Sequence, residues 1–268
     1  MNQTFGFIGT GNMGGALARA AVQTLPKQAV FLANRTAAKA QALAAELGCQ
    51  VSDSSWIAAN CGYIFLGVKP QMMEALLQQL RPILESRGDD FVLVSMAAGL
   101  QISRIQEMAG SNYPVIRIMP NTPVAVGSGV ILYDASGNVT DEQKQAFCAA
   151  MAAAGLLDPL PERLMDAGSA VAGCGPAYAA MFLEALADGG VACGLPRDKA
   201  LEYAAQMLLG TAKLALETGM HPGRLKDGVC SPGGATIAGV NALEQGAFRG
   251  SAMQAVQAAY RRTLELGK

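Results

Sequence analysis

The chain has 268 residues, of which 51% are hydrophobic and only 15% are charged, and its formal net charge is −1. These proportions allow a large buried core and a substantial subunit interface, in one large domain or two smaller ones. The near-neutral charge and the lack of a basic run disfavour a nucleic-acid partner. There are six scattered cysteines without C-x-x-C spacing and one histidine, so we expect neither a metal site nor a disulfide framework.

Strands and helices alternate through the first half of the sequence. Apolar runs predict strands at Thr4–Ile8, Ala29–Ala33, Tyr63–Val68, Phe91–Ser95 and Val115–Met119, with a later pair near Val130–Tyr133 and Leu156–Leu160. Helical periodicity predicts helices at Met13–Thr24, Ala37–Leu47, Gln71–Leu84, Ile102–Met108 and Asp141–Ala154. This alternation predicts an α/β fold with a mostly parallel sheet covered on both faces.

A glycine-rich turn follows the first predicted strand and opens a helix. Its sequence, Gly9-Thr10-Gly11-Asn12-Met13-Gly14, has the spacing G-x-G-x-x-G. The first glycine permits a tight turn, the second lets the backbone approach a pyrophosphate, and the third allows close packing of helix on strand. We therefore expect a Rossmann-type dinucleotide site, contacted by Gly9, Thr10, Gly11, Asn12 and Met13.

The second predicted strand indicates which dinucleotide binds. An NAD site usually has an acidic residue at this point for the ribose 2′-hydroxyl, but no carboxylate lies between Met1 and Glu46. Asn34, Arg35 and Thr36 stand there instead, with Lys39 one turn later, and the arginine fork suits a 2′-phosphate. We expect NADPH, with NADH possible, and contacts from Asn34 and Arg35. The alternative is that Arg35 is an ordinary solvated loop residue.

Further residues follow later strands. Ligands of such sheets bind beyond the carboxyl ends of the strands. Cofactor contacts are therefore expected from Val68, Lys69 and Pro70, from Ala97, and from Asn121. Pro and Gly also mark ordinary turns, which is the alternative explanation for each segment.

The pattern becomes helical after Pro161. Helices are predicted at Glu162–Ala172, Ala177–Cys193, Lys199–Thr218, Thr236–Gln245 and Gly250–Leu266. We expect a Rossmann domain over residues 1–158 and a helical dimerisation and substrate domain over 159–268. The apolar region Ala167–Leu183 is interrupted by glycines and Pro176, which predicts a buried, kinked helix rather than a membrane span. No signal sequence precedes the first strand, so a cytoplasmic location is expected.

A second small-residue loop precedes the helix predicted at Thr236–Gln245. Ser231-Pro232-Gly233-Gly234-Ala235-Thr236 cannot form a good helix interior, but it can present free backbone N–H groups at a helix start. Together with the hydroxyls of Ser231 and Thr236, these groups predict a site for a small carboxylic acid. An ordinary glycine-rich turn with an N-cap is the alternative.

The ordered set of motifs resembles pyrroline-5-carboxylate reductase from end to end. It comprises Gly9–Gly14, Val68-Lys69-Pro70, Met119-Pro120-Asn121-Thr122-Pro123, Gly173-Cys174-Gly175-Pro176-Ala177-Tyr178, Ala187-Asp188-Gly189-Gly190-Val191 and Ser231–Thr236. The resemblance implies NAD(P)H-dependent reduction of 1-pyrroline-5-carboxylate to L-proline. It also implies a helical dimerisation domain, an active site completed across the dimer, and often a decamer.

The resemblance also implies residue roles. Thr236 would hydrogen-bond the ring nitrogen as the catalytic donor, while Ser231 and the backbone of Gly234, Ala235 and Thr236 would hold the substrate carboxylate. The chain departs from the family at Cys174, where Ser is usual, and at Ala235, where Thr is common. The first change weakens any hydroxyl role, whereas the second leaves a backbone contact intact. Cys174 and Cys230 are expected to be packing residues, and His221 a helix-end or loop residue.

Three other functions fit parts of the sequence. A β-hydroxyacid dehydrogenase would need a lysine where Ala179 stands, so that family is disfavoured. An NADPH-binding regulatory protein without turnover would explain the shortage of titratable catalytic groups, but it would not need a carboxylate site. A helical interaction domain fused to a Rossmann scaffold leaves the same loop unexplained. Dependence of NADPH oxidation on added pyrroline-5-carboxylate would discriminate among these functions.

Overall fold

A computed structural model describes residues 3–266. An eight-stranded sheet lies in the first part of the chain, in the spatial order β3-β2-β1-β4-β5-β6-β7-β8. Its strands are β1 (Phe5–Ile8), β2 (Val30–Ala33), β3 (Gln50–Val51), β4 (Tyr63–Leu66), β5 (Val92–Ser95), β6 (Val115–Pro120), β7 (Gly129–Ala135) and β8 (Gly155–Pro159). All neighbouring strands are parallel except β6 and β7. The predicted α/β class with its mostly parallel sheet is confirmed, and the order of the first six strands is that of a Rossmann fold.

Helices connect the strands of the sheet, and after the last strand the chain consists of helices without further strands among the described residues. In the first part they are α1 (Asn12–Thr24), α2 (Ala37–Leu47), α3 (Ser54–Asn60), α4 (Pro70–Glu85), α5 (Ile102–Ala109) and α6 (Asp141–Met151). After the last strand come α7 (Glu162–Ala172), α8 (Gly175–Ala192), α9 (Arg197–Thr218), α10 (Pro222–Gly228), α11 (Ala235–Gln245) and α12 (Phe248–Leu266). The predicted helical character of the second half is confirmed.

A short strand and two short α-helices were not predicted, because each is too short to show periodicity. They are the two-residue strand β3 and the seven-residue helices α3 and α10. Both short helices carry a local start signal. Asp53 accepts a hydrogen bond from the Trp56 backbone N–H (2.8 Å), and His221 Nδ1 accepts one from that of Gly223 (3.1 Å). The expectation that His221 lies at a helix end is therefore confirmed.

The core of the sheet is built from aromatic and aliphatic side chains. Phe5 stacks on Tyr63 with ring centroids 4.5 Å apart, and Phe7 stacks on Phe65 at 4.3 Å. All four rings are buried. These contacts join β1 to β4, and they fix the two central strands whose carboxyl ends bear the glycine-rich turns.

The chain divides into two compact units. One contains the residues up to Cys174 together with those from Ala259 onward, and the other is Gly175–Ala258. The first unit holds the whole sheet and α7, whereas the second holds α8 to α11 and the beginning of α12. The division predicted from composition, between residues 158 and 159, stays a prediction.

The most apolar helical segment is not buried by its own chain. Glu162–Ala192 is long and apolar enough, by length and composition alone, to cross a membrane, yet only 11% of its most apolar window is buried. The segment is interrupted at Gly173–Cys174, between α7 and α8. The kink is therefore confirmed, but the expected burial within the chain is wrong. Its apolar residues lie on helices that have too few neighbours in this chain to cover them.

Two buried ionisable side chains lie between the sheet and its helices. The Cys61 thiol is fully buried, and burial raises its pKa from 9.0 to about 12. Burial also raises the pKa of Tyr63 to about 12, and its hydroxyl donates a hydrogen bond to the Gln143 carbonyl (2.8 Å). Both groups are neutral when the protein is folded at pH 7.

These raised pKa values make the fold sensitive to alkali. The stabilisation from Cys61 is fully present below pH 9, where the thiol is protonated in both states. It is lost as the pH rises from 9 towards 12, because the unfolded thiol ionises first.

We expect the Cys61→Ala variant to lose less stability than the wild type between pH 8 and about pH 10.5, by about 1–2 kcal/mol. Urea unfolding under reducing conditions at both pH values measures this difference. Cys193→Ala, which removes an exposed thiol, is the control and should follow the wild type. Equal alkaline losses in all three proteins would contradict the role of Cys61.

Candidate functional site

Three glycine backbones meet where β1 and β4 end. Gly9 has φ +101°, and a Cβ there would overlap the Gly67 backbone. A Cβ on Gly67 would lie 2.5 Å from the Gly9 carbonyl oxygen, and one on Gly14 would overlap the same oxygen. The turn can therefore approach β4 and α1 this closely only with glycine at all three positions. Gly67 was not among the predicted site residues, because its role depends on a contact between distant parts of the sequence.

Gly11 differs from these three glycines. A Cβ on Gly11 would meet no atom within 4 Å among the described residues. Gly11 is the N-cap of α1 and provides no side-chain cap, and the first turn of α1 contains no acidic residue. The free N–H groups of that turn and the open space at Gly11 leave room for an anionic group at the helix start.

An open cleft of about 590 Å³ adjoins this turn. The predicted cofactor residues that line it are Gly9, Gly11, Asn34, Arg35, Val68 and Lys69. Its other lining residues are Ile8, Thr36, Lys39, Ser54, Gly67, Gln71, Met72, Ala75, Leu76 and Gln79. Ser54 and the α4 residues were not predicted. The only signal for Met72, Ala75 and Leu76 was the apolar face of α4, which by itself also fits ordinary packing.

The charge of the cleft is positive. Arg35, Lys39 and Lys69 are its charged lining residues, and no carboxylate is among the described residues that line it. Thr36 is the N-cap of α2 and makes no side-chain cap, so the start of that helix is also open to an anion. A phosphate is therefore favoured at the end of β2.

Asn34 links the two sides of this cleft. Its Oδ1 accepts a hydrogen bond from the Thr10 backbone N–H (3.2 Å), and its Nδ2 donates one to the Thr36 carbonyl (3.2 Å). Asn34 thereby holds the glycine-rich turn against the loop after β2. Thr10, within the turn, is buried, and its hydroxyl has no hydrogen-bond partner among the described residues.

The other predicted cofactor residues lie outside the cleft lining. Asn12 and Met13 form the first turn of α1, and Pro70 is the first residue of α4. Ala97 is buried in the loop after β5, and Asn121 is buried in the turn after β6. Whether any of them contacts a cofactor stays a prediction.

The Ser231 loop forms a tight turn in the helical unit. Gly234 N–H donates to the Ser231 carbonyl (3.0 Å), and Gly233 has φ +69°. A Cβ on Gly234 would overlap Ser231 Oγ. The conformation of the turn therefore favours glycine at position 233, whereas a side chain at position 234 would require the Ser231 hydroxyl to move.

The start of α11 is open to an anion, as the sequence predicts. Gly234 is the N-cap and supplies no side-chain hydrogen bond, so the N–H groups of the first turn, Ala235 to Ile237, are uncapped. Ser231, Ala235 and Thr236 are exposed. Among the described residues, neither hydroxyl of this loop makes a hydrogen bond. Two hydroxyls and a helix N-terminus thus meet in one exposed turn that suits a carboxylate.

Other reactive side chains do not form a competing centre. Within residues 3–266, no group of three or more His, Cys, Asp or Glu side chains could hold a metal ion. Cys174 and Cys230 are half-buried free thiols. His221 uses Nδ1 to cap α10.

Two family models match the chain in the regions that contain these features. The model for pyrroline-5-carboxylate reductase dimerisation matches residues 162–266, and that for NADP oxidoreductase, coenzyme F420-dependent, matches residues 4–99. The first match includes the apolar helices that the chain leaves exposed, and the second includes the glycine-rich turn and its cleft.

Comparison with whole proteins extends this similarity over the full length. The chain is 40% identical to pyrroline-5-carboxylate reductase of Pisum sativum, covering 98% of this chain and 96% of the relative. It is 41% identical to the Synechocystis protein of the same name, with both chains fully covered. The crystal structure of Plasmodium falciparum pyrroline carboxylate reductase with NADP bound superimposes with a TM-score of 0.89 at 31% identity, covering 99% of this chain and 98% of that one. The resemblance drawn from the sequence motifs is confirmed, and the chain belongs to the pyrroline-5-carboxylate reductase family.

Proposed function

We propose that this protein reduces 1-pyrroline-5-carboxylate to L-proline with NADPH, in the last step of proline biosynthesis. Membership of the family makes it an NAD(P)H-dependent oxidoreductase. The observation that carries the residue assignment is the presence of two separate helix starts without side-chain caps. The turn at the start of α1 suits the cofactor pyrophosphate, and the turn at the start of α11 suits the substrate carboxylate.

The preference for the 2′-phosphate of NADPH rests on the charge of the cleft. Arg35 and Lys39 line it at the end of β2, where NAD-binding proteins usually have an acidic residue. Arg35 is proposed as the direct ligand, because its guanidinium makes no ion pair among the described residues. The Asn34 amide is already hydrogen-bonded to Thr10 and Thr36, so its proposed role is to fix the shape of the phosphate site.

The substrate is proposed to bind at the start of α11. Its carboxylate accepts hydrogen bonds from Ser231 and from the backbone N–H groups of Ala235 and Thr236, and Gly234 gives it room to approach. The Thr236 hydroxyl donates a hydrogen bond to the ring nitrogen. Departure from the family at Ala235 has no cost for this binding mode, because position 235 contributes through its backbone.

The reaction needs no strong general base, since the imine is readily protonated. Bound NADPH supplies the hydride. The imine carbon accepts the hydride and the C=N electron pair passes to the nitrogen, which retains its proton and becomes the amine of proline. The protein holds the carboxylate, orients the nitrogen through Thr236 and keeps the imine carbon at reacting distance from the cofactor. This accounts for the scarcity of titratable groups at the α11 turn.

The oligomeric state is proposed to be the one that the family resemblance implies, and the cellular location is proposed from the cysteines. The exposed apolar residues of the helical unit, which include Met181, Leu209, Leu216 and Met253, support at least a homodimer through the dimerisation segment. A decamer is the further proposal, and light scattering of the purified protein tests it. All six cysteines are free, which supports a reducing, cytoplasmic location.

The first assay measures NADPH oxidation with and without 1-pyrroline-5-carboxylate and identifies the product. Substrate-dependent oxidation that yields proline supports the proposal. Tight NADPH binding without turnover would contradict it and would favour the regulatory alternative, in which the protein binds the cofactor without catalysis.

We expect Thr236→Ala to lower kcat/KM by about 10²-fold or more, because the ring nitrogen loses its hydrogen-bond donor. Steady-state kinetics with varied substrate measure the change. Thr236→Ser keeps the hydroxyl and should retain most of the activity. If Thr236→Ala is as active as the wild type, the assignment is wrong.

We expect Arg35→Asp to raise the KM for NADPH about tenfold or more and that for NADH far less, because only NADPH carries the 2′-phosphate. Parallel kinetics with the two cofactors measure both values, so NADH is the internal control. Equal increases in the KM values for NADPH and NADH would contradict the assignment of Arg35 to the 2′-phosphate site.

Gly11, the N-cap of α1, and Gly14, in its first turn, allow cofactor binding to be tested separately from folding. We expect Gly11→Ala to keep the wild-type Tm and to weaken NADPH binding about tenfold, because its methyl group meets only the space left for the pyrophosphate. Gly14→Ala should lower the Tm itself, since its methyl group overlaps the Gly9 carbonyl oxygen. Thermal unfolding and calorimetric titration measure both effects, and a Gly11→Ala variant that binds NADPH normally would place the pyrophosphate elsewhere.

A further inference from the structure

Helix α7 is held at its first turn by a buried arginine. Arg117 lies in the middle of β6, and its side chain is only 1% exposed. Its guanidinium donates to Glu162 (3.2 Å) and to Asp166 (2.8 Å), one turn apart on α7. Asp134, opposite Arg117 in the register of β6 and β7, accepts a hydrogen bond from the Glu162 backbone N–H (2.5 Å). Arg117 thus joins β6 to the start of α7, and Asp134 joins β7 to the same turn of the helix.

The same cluster reaches a loop that follows another strand. Glu162 Oε1 accepts a hydrogen bond from the Ile102 backbone N–H (2.7 Å). Ile102 is the first residue of α5, and Gln101 before it makes no side-chain cap. The carboxylate therefore caps α5 from outside and fixes the end of the loop that contains Ala97.

The last turn of α7 is held by Asn121. Its Nδ2 donates to the Ala172 carbonyl (3.0 Å), and its Oδ1 accepts from the Val130 backbone N–H (2.8 Å). The side chain is buried, and both its functional groups are occupied by protein. Asn121 therefore connects the turn after β6 to β7 and to the end of α7.

The two loops that α7 joins belong to one half of the nucleotide-binding sheet. The glycine-rich turn and the proposed 2′-phosphate site are at the ends of β1 and β2, in the half formed by β1 to β3. The second half, β4 to β6, receives the other mononucleotide in a sheet of this order. The loops after β5 and β6 are thus on the nicotinamide side.

We propose that α7 is a brace that positions the nicotinamide-side loops, with Glu162 and Asn121 as the positioning residues at its two ends. This inference rests on the proposed function, since it assumes NADPH as the cofactor. It assigns Asn121 a role through the protein backbone instead of direct contact with the cofactor. It also gives α7, the first helix of the segment that matches the dimerisation model, a role in shaping the cofactor site.

A comparison of two ligands distinguishes the positioning role of α7 from a general contribution to protein stability. NADPH occupies both halves of the sheet, whereas adenosine 2′,5′-bisphosphate has no nicotinamide and occupies only the first half. Loosening the brace therefore weakens the binding of NADPH and leaves the binding of adenosine 2′,5′-bisphosphate nearly unchanged. Hydride transfer should also slow, because small displacements of the reacting groups are costly.

The experiment compares Glu162→Ala and Asn121→Ala with the wild type by calorimetric titration of both ligands. We expect the Kd of NADPH to rise about tenfold, the effect of one lost hydrogen bond to a charged or buried group, and that of adenosine 2′,5′-bisphosphate to change less than about twofold. Glu162→Gln keeps an acceptor for the Ile102 N–H and is the conservative control. Glu46→Gln, which removes an exposed partner of Arg19 in the same unit, is the ion-pair control. Both controls should bind NADPH nearly as the wild type does.

A kinetic isotope effect gives an independent readout. With NADPH deuterated at C4, the isotope effect on kcat should increase in the two alanine variants, because misplaced loops make hydride transfer slower relative to product release. Equal weakening of both ligands, or unchanged affinities in folded variants, overturns the proposal. If Glu162→Ala does not fold, Asp166→Asn loosens the same cluster without removing the cap of α5, and the same two-ligand comparison applies. Failure of wild-type turnover with 1-pyrroline-5-carboxylate would contradict the reaction and leave this affinity comparison intact.

Discussion

The close approach of the Gly9, Gly14 and Gly67 backbones determines the geometry of the cofactor half of this protein. No residue with a side chain can occupy these positions without moving β1, β4 or α1 apart. The contact brings the uncapped start of α1 to the carboxyl edge of the sheet, where a phosphate can meet it. The aromatic stacking of Phe5 on Tyr63 and of Phe7 on Phe65 supports this approach from within the core. The cleft lies at that edge, and the residues that give it positive charge follow strands that end there.

In the proposed function, helix dipoles and hydroxyl groups serve the reaction more than acids and bases do. At the α11 turn, two hydroxyls stand beside uncapped N–H groups, and His221 is used as a helix cap. Such a site is appropriate for an imine acid, whose carboxylate needs an anion site and whose nitrogen needs a hydrogen-bond donor. The buried Arg117 pairs with Glu162 and Asp166, Glu162 also caps α5, and Asp134 accepts a hydrogen bond from the first residue of α7.

The exposed apolar helices show how a correct local pattern can lead to a wrong conclusion about burial. The composition of Ala167–Leu183 predicts a kinked helix that is removed from water, and α7 and α8 have the kink. Burial, however, depends on what lies against the helix, and most of α8 has no cover within its own chain. The family match to a dimerisation segment supplies the physical reason, because a second copy can cover this surface.

The sequence by itself determined the alternation of strands and helices in the first half, the glycine turn, the lack of an acidic residue after β2 and a helix start at the end of the Ser231–Thr236 loop. These features are local: they depend on residues that are neighbours in the chain, so spacing and residue type suffice to detect them. Only the tertiary structure decided that Gly67 is sterically required, that both groups of Asn121 are bound to backbone, and that Glu162 caps α5. Each of these depends on a contact between residues far apart in sequence, and hydrophobic periodicity carries no information about such a contact. The short α3 and α10 fall between the two cases, since their caps are local but their length is below what periodicity can reveal.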